Sequence, residues 1–295
     1  MTLLDCIYDK VFSRIDSCGR VFGPTLVAVD VHYVAGSPRP SLLPFVTRYS
    51  GYRMRTEPGV HRGLPSRSLT LVVTLDGTVD LPDGSFSTLI SGLHSYPVII
   101  THSGFQHGVQ IDLTPLGARV LFGVAAGELA FTSLDWDVVG APGAEVLGRL
   151  RSAPTWAARF GVLDEVFSRL VTPVRLPAPE VRWAWERLAL GASVSAIALD
   201  VGWSRQHLTS VFRREFGLTP KVLGRVMRFE RAGMMLRGAR RPSLAEVAAA
   251  CGYTDQAHFT REWGAFAGTS PTTWMAEELP FVQDAAALEG APSSA

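Results

Sequence analysis

The sequence predicts a multidomain protein: a β-rich α+β N-terminal domain followed by an all-α C-terminal domain holding two helix-turn-helix units. Three observations predict it. Short β-branched or apolar runs separated by turn signals crowd the stretch from Arg39 to Leu113. After Thr114-Pro115 the apolar period becomes helical and stays so. Between Ala196 and Pro271 one pattern is written twice, AIALDVGWSRQHLTSVFRREFGLTP and then EVAAACGYTDQAHFTREWGAFAGTSP. A length of 295 residues suits about two domains of ordinary size.

Taken in order, Asp5–Arg14 reads as a short helix and residues 23–34 (GPTLVAVDVHYV) alternate like a strand. Ser68–Leu75, Ser95–Ile100 and Gly108–Leu113 read as strands, bounded by the turn signals DGT (76–78), PDGS (82–85) and THSG (101–104). Strands at this spacing imply an antiparallel sheet or small barrel. Helices are expected at 116–130, 143–152 and 156–171. In the last, Trp156, Phe160, Leu163, Val166, Phe167 and Leu170 form one packing stripe. Three prolines in TPVRLPAP (172–179) break the pattern and read as a linker. The expected division is 1–172 as a sensor or dimerisation domain, 173–179 as linker, 180–277 as the helical domain and 278–295 as a tail.

In the helical domain, Val181–Leu190 is a short helix burying Val181, Trp185 and Leu188. Ser193 and Ser243 sit at N-cap positions, and Ser243-Leu244-Ala245-Glu246 forms a full capping box. Gly202 and Gly252 fall where a helix end needs a left-handed residue. Trp203 and Tyr253 follow as packing aromatics. Ser204 and Asp255 then cap the second helix of each unit. A helix from Ser204 buries Leu208, Val211, Phe212 and Phe216 and presents Arg205, Gln206, Thr209, Ser210 and Arg213. Its counterpart buries Phe259, Trp263 and Phe266 and presents Gln256, Ala257, Thr260 and Arg261. Between the units, Lys221–Leu236 is one amphipathic helix with Val222, Val226, Phe229 and Met234 for packing and Arg225, Arg228 and Arg231 outward.

Net charge over the whole chain is +1, which is uninformative, but its distribution is not. From Arg205 to Arg241 ten Lys/Arg face only Glu215 and Glu230, a local balance of +8. Such a window is the footprint of a phosphate-contacting surface. Gln pairs bidentately with adenine and Arg with guanine, while Thr or Ala meets a thymine methyl. The outward residue types therefore suit major-groove reading.

Other classes fare worse. Cys6, Cys18 and Cys251 are too few and too irregular for a disulfide framework or zinc cluster. Cys251 reads as packing. His61, His94, His102 and His107 lack the spacing that puts two ligands on one face, so strand-end histidines are the preferred reading and no metal or other cofactor is expected. No P-loop, GxGxxG or GxSxG occurs. The stretch His61–Ser66 reads as a turn, either with a ligand-facing Arg62 or as an ordinary loop. Neither a signal peptide nor a membrane-length apolar run is present, which implies a cytoplasmic protein without membrane partners.

Residues from about 178 to 276 resemble the DNA-binding domain of AraC/XylS transcription regulators. The resemblance rests on AIALDVGWS, LTSVFRREFGLTP, RFERAGMML and EVAAACGYTDQAHFTREW followed by GTSP. It implies seven helices and two recognition helices in successive major grooves of double-stranded DNA, joined by the Lys221–Leu236 helix. By position it implies Gln206 and Ser210 as base readers in the first unit, and Gln256, Ala257 and Arg261 in the second. Arg205 and Thr209 join the base-reading set, with Ser204, Arg213, Arg225, Arg228 and Thr260 on the DNA backbone. Two positions depart from the family pattern: Ser210 is short where many relatives carry Arg, and Ala257 lacks a polar head.

The N-terminal half, from YSGYRMRTEPGVHRGLPSRSLTLVV to SYPVIITHSGFQHGVQIDLTPLGARVLFGV, is similar to the sensor-like domain of a subset of these regulators. That resemblance implies a small-molecule effector, a homodimer, or both; His61 and Arg62, from the turn-like stretch, are the effector candidates, and RNA polymerase is a further expected partner. The expected function is a sequence-specific, effector-responsive transcription regulator rather than an enzyme. The alternatives are a DNA-modifying or repair enzyme carrying the same reader, and an architectural protein without effector response. A methyl-accepting enzyme would need a Pro-Cys-His setting or a zinc cluster, and the sequence has neither.

Overall fold

A computed structural model describes residues 30–238, 240 and 242–278. The expected helix at Asp5–Arg14, most of the strand at 23–34, and the tail from 279 lie outside the described residues. Two antiparallel sheets build the N-terminal region. The larger is formed by β1 (Asp30–Gly36), β2 (Val46–Arg55), β4 (Leu69–Asp76), β7 (Thr88–Ser91), β9 (Phe105–Leu113) and β10 (Ser133–Asp135), in the order β1-β2-β9-β4-β7-β10. The smaller contains β3 (Gly59–Gly63), β5 (Val79–Leu81), β6 (Gly84–Phe86) and β8 (Val98–His102), in the order β3-β8-β5-β6. The expected strands at 68–75 and 108–113 are thus present, and that at 95–100 starts later, at Val98. Residues 61–63, expected in a turn, belong to strand β3, where Gly63 pairs with Val98.

Helix α1 (Pro115–Phe122) stops where the sequence periodicity suggested it would continue to 130. Gly123 takes φ 71° and its N–H bonds back to Arg119 O, a left-handed stop that a glycine accepts without strain. Helices α2 (Gly143–Ser152) and α3 (Trp156–Leu170) then pack on the larger sheet. Leu163, Val166 and Phe167 are buried, while Trp156 and Phe160 ride over β1 and β2. A Cβ at Gly36 would meet the Phe160 ring at 2.5 Å, so this close approach of helix to sheet requires glycine there.

Residues 171–178 form no regular element. The helical region follows: α4 (Pro179–Ala189), α5 (Val194–Asp200), α6 (Arg205–Phe216), α7 (Pro220–Arg237), α8 (Leu244–Cys251), α9 (Gln256–Ala267) and α10 at 271–278. Every cap read from sequence forms. Ser193, Ser204, Ser243 and Asp255 accept from the backbone N–H three residues on, and Glu246 closes the capping box. Helix α7 joins two cores. Leu223 and Met227 belong to a cluster that runs without a break from the sheets through α6, and Val226, Phe229, Ala232 and Leu236 to a second cluster around α8 and α9. Met234, expected to pack, is 49% exposed, because it falls on the face of α7 opposite Phe229, Ala232 and Leu236.

The two regions share the first apolar cluster, and specific polar contacts add to it. Arg119 meets Glu215 at 2.6 Å, Arg67 meets Glu230 at 2.9 Å, and Arg62 meets Glu277 at 2.8 Å and Glu278 at 3.4 Å. The Gly127 N–H donates to Glu215 O at 2.9 Å. No helix among the described residues is long and apolar enough to cross a membrane.

Candidate nucleic-acid interface

Each helix-turn-helix unit is set by the same local physics. In the first, Gly202 (φ 69°) turns the chain out of α5, and Trp203 packs edge-on to His207 at 4.6 Å. In the second, Gly252 (φ 77°) turns it out of α8, and Tyr253 packs edge-on to His258 at 5.3 Å. The extra residue in the second turn is absorbed without losing this aromatic–histidine contact. Sequence reasoning gave the two histidines no role. Their equal placement three residues after the caps Ser204 and Asp255 was the available signal.

Helix α6 begins at its cap, with the His207 N–H donating to Ser204 Oγ at 3.1 Å. Leu208, Val211, Phe212 and Phe216 are buried. Arg205, Gln206, Ser210 and Arg213 are exposed with Thr209 half-buried between them, and the five line one shallow cleft of about 460 Å³. The Thr209 hydroxyl donates to Arg205 O at 2.8 Å. That bond commits the hydroxyl proton to the helix's own backbone.

Helix α9 starts at Asp255, whose carboxylate accepts from the His258 N–H at 2.6 Å. Gln256, Ala257 and Arg261 are exposed and Thr260 is half-buried. On its inner face, Phe259, Trp263 and Phe266 are joined by a residue not foreseen there, Glu262, at 5% exposure. Arg225 Nε donates to its Oε2 at 2.7 Å. Arg228 makes a forked contact, with Nη2 at 2.7 Å from Oε1 and 2.9 Å from Oε2. Burial pushes the Glu262 carboxyl up, but the hydrogen bonds and charges of the two arginines outweigh it and hold it below the usual carboxylate range. The sequence carried a signal: Glu262 occupies an apolar-stripe position, three residues after Phe259, and a carboxylate there requires cationic partners.

The expected backbone contacts therefore divide. Ser204 caps α6, and Arg213 and Thr260 lie within α6 and α9, whereas Arg225 and Arg228 turn to Glu262 and stack over Phe266 and Tyr253, at 5.0 and 4.5 Å. The local balance of +8 likewise overstates the free cationic surface. Arg214 pairs with Glu215, Arg240 with Glu246, and Arg237 lies 4.8 Å over Trp274.

The effector candidates lie elsewhere. His61 and Arg62 are neighbours on β3, and Arg62 is taken up by Glu277 and Glu278 of α10 rather than facing a cavity. His61 lies 5.9 Å from the His102 ring, and burial followed by the His102 charge pushes its pKa down to about 4. His94 donates through Nδ1 to Tyr96 O at 2.6 Å, and His107 contacts Asp76 at 2.6 Å.

Residues 197–277 match the family model described as a helix-turn-helix domain. Among solved structures, the chain is similar to the C-terminal domain of AraT, a response regulator from Geobacillus stearothermophilus. Identity is 22%, coverage 33% of this chain and 84% of that one, and the TM-score 0.31. It is also similar to the DNA-binding domain of AdpA, a global transcriptional factor in complex with a target DNA (25% identity, 34% and 92% coverage, TM-score 0.29). Unsaturated fatty acid bound wild-type ToxT from Vibrio cholerae aligns over more of the chain, with 9% identity, 88% and 97% coverage and a TM-score of 0.46. No curated protein matches the chain.

Proposed function

We propose, from the match of residues 197–277 to a helix-turn-helix domain, that the chain is a sequence-specific DNA-binding transcription regulator of the AraC type whose N-terminal region takes a small-molecule effector. The observation that carries the reading is the pairing of α6 and α9. Both start at a side-chain cap, both bury an aromatic stripe, and both turn groove-reading residue types outward. Arg205, Gln206, Thr209 and Ser210 read bases in one major groove, and Gln256, Ala257 and Arg261 in the next. Ser204, Arg213 and Thr260 take phosphates. Arg225 and Arg228 serve DNA mainly by locking α7 to α9 through Glu262, which fixes the second reader relative to the first. Residues 1–172 act as the regulatory domain, 173–179 as linker and 180–277 as the reader. RNA polymerase and a second copy of the chain complete the partner set.

Selection from a randomised duplex library, compared between the wild type and Arg261→Ala, tests this reading. Loss of a base-reading arginine costs about 1–3 kcal/mol at the cognate site and relaxes preference at one position. Gln206→Ala does the same for the first unit. Unchanged base preference in both variants would refute the assignment.

A further inference from the structure

Beside the larger sheet lies a cleft of about 370 Å³ lined by Leu75, Asp76, Gly77, His107, Arg151 and Arg159, with no residue of α6 or α9. Its construction begins in the strands. The β4–β9 register shifts between Thr74 and Asp76, and such an irregularity re-aims side chains at a sheet rim. Asp76 thereby meets His107 on the neighbouring strand at 2.6 Å. Gly77 follows with φ 76°, and a Cβ there would meet nothing within 4 Å, so the mouth is open.

Two helices supply the cations. Arg151, near the end of α2, donates through Nε to Leu75 O at 2.8 Å. Arg159, in α3, donates through Nε to Leu150 O at 3.2 Å and lies 4.6 Å over the Trp156 ring. Each guanidinium is thus pinned by its inner nitrogen to a main-chain carbonyl. The paired Nη groups of both make no hydrogen bond among the described residues, and the Asp76 carboxylate acts on Arg159 through its charge. The other side of the cleft is held by an imidazole that is itself fixed, edge-on to Trp156 at 5.7 Å.

Two positioned forks against one carboxylate leave a net positive site, and a guanidinium fork matches the geometry of a carboxylate or phosphate. We propose that this cleft binds a small hydrophilic organic anion, a carboxylate or phosphate ester, through Arg151 and Arg159. Its lining is mostly polar and its volume falls at the small end for ligand sites, which excludes a long acyl chain. Asp76 provides an acceptor, so a hydroxyl or ammonium on the ligand completes the match. Its role as the effector site rests on the regulator reading above, while the binding chemistry does not.

Calorimetric titration of the full chain with inorganic phosphate, and separately with small hydroxy-carboxylates, tests the site and distinguishes the two oxyanion sources. One family should bind with unit stoichiometry and change tryptophan fluorescence. Arg151→Gln and Arg159→Gln should each weaken it about 10- to 100-fold, and Arg159→Lys, which keeps charge but loses the fork, by less. Trp156→Phe should abolish the optical change while calorimetric binding persists. Thermal unfolding of each variant checks that the fold is retained. Absence of binding by every probe at millimolar concentration, or binding indifferent to both arginine variants, would overturn the proposal. Operator affinity, measured with and without the bound anion, separately decides the effector role.

Discussion

Replacing Glu262 by Gln probes the joint on which the two-reader geometry depends. The wild-type carboxylate receives Arg225 Nε and the Arg228 fork while only 5% exposed. Gln keeps one acceptor oxygen and turns an amide N–H₂ toward guanidinium donors, so the forked contact cannot survive. Breaking a fully buried pair costs about 3–5 kcal/mol. Here the arginine side chains are 37% and 25% exposed, and water recovers part of that, leaving about 2–3 kcal/mol. At about 2–4 °C per kcal/mol for a cooperative unit of this size, the thermal midpoint should fall by roughly 4–12 °C. Circular dichroism melts and urea midpoints at unchanged m-value measure it. The released arginines should also steepen the salt dependence of non-specific DNA binding by about one to two phosphate contacts. A midpoint shift below about 1 °C would refute the reasoning, since it would mean that the pair behaves as a surface ion pair.

Acidification offers a second test. His61 is held down to about 4 against an ordinary 6.5, so between those values the unfolded chain takes up a proton that the folded chain refuses. Stability should therefore drop as pH falls from about 6.5 toward 4, and His61→Gln should flatten that slope in urea titrations across the window. Burial raises the carboxyls of Glu230 and Glu278 despite Arg67 and Arg62, an effect of opposite sign that cancels in the wild-type-to-variant comparison. Equal slopes would remove His61 as the cause. Two glycine substitutions should separate by mechanism. Gly252→Ala meets only the left-handed backbone cost of roughly 1–2 kcal/mol. Gly217→Ala adds a collision with the Ala130 methyl, worth about 1–3 kcal/mol more, and chemical denaturation should rank them in that order.

Much of the helical region was legible because its signals are local. A serine three residues before the N–H from which it accepts, a glycine at a helix end and an apolar stripe at three- and four-residue spacing each act within one turn of chain. Ser204, Asp255, Gly252 and the Ser243–Glu246 box could be read that way. The β region resisted for the converse reason. Strands such as Val46–Arg55 are fixed by a register with β9, some 60 residues away, and nothing local announces a three-residue strand such as Val79–Leu81. The helix expected at 116–130 failed on one glycine, Gly123, which periodicity alone overrides. At the candidate site, outward residue types were visible, but the destination of Arg225 and Arg228 was not. Their partner lies more than 30 residues away, and charge counting treats an arginine bound to a buried carboxylate as it would a free one. The cleft at Arg151 and Arg159 assembles two helices and two strands, so no window of sequence contains it.

The ion pairs across the seam between the two regions have one polarity. On the N-terminal side stand Arg62, Arg67 and Arg119; facing them are Glu277, Glu278, Glu230 and Glu215. Every one of these cations belongs to one half and every anion to the other, so the halves are keyed like a plug and socket. A reader domain grafted onto a foreign sensor would bring a row of carboxylates seeking guanidiniums, and would seat only where the new host offers them at matching places. The unit of exchange among chimeric regulators is then neither half alone, but a half together with the charge pattern of the surface that receives it.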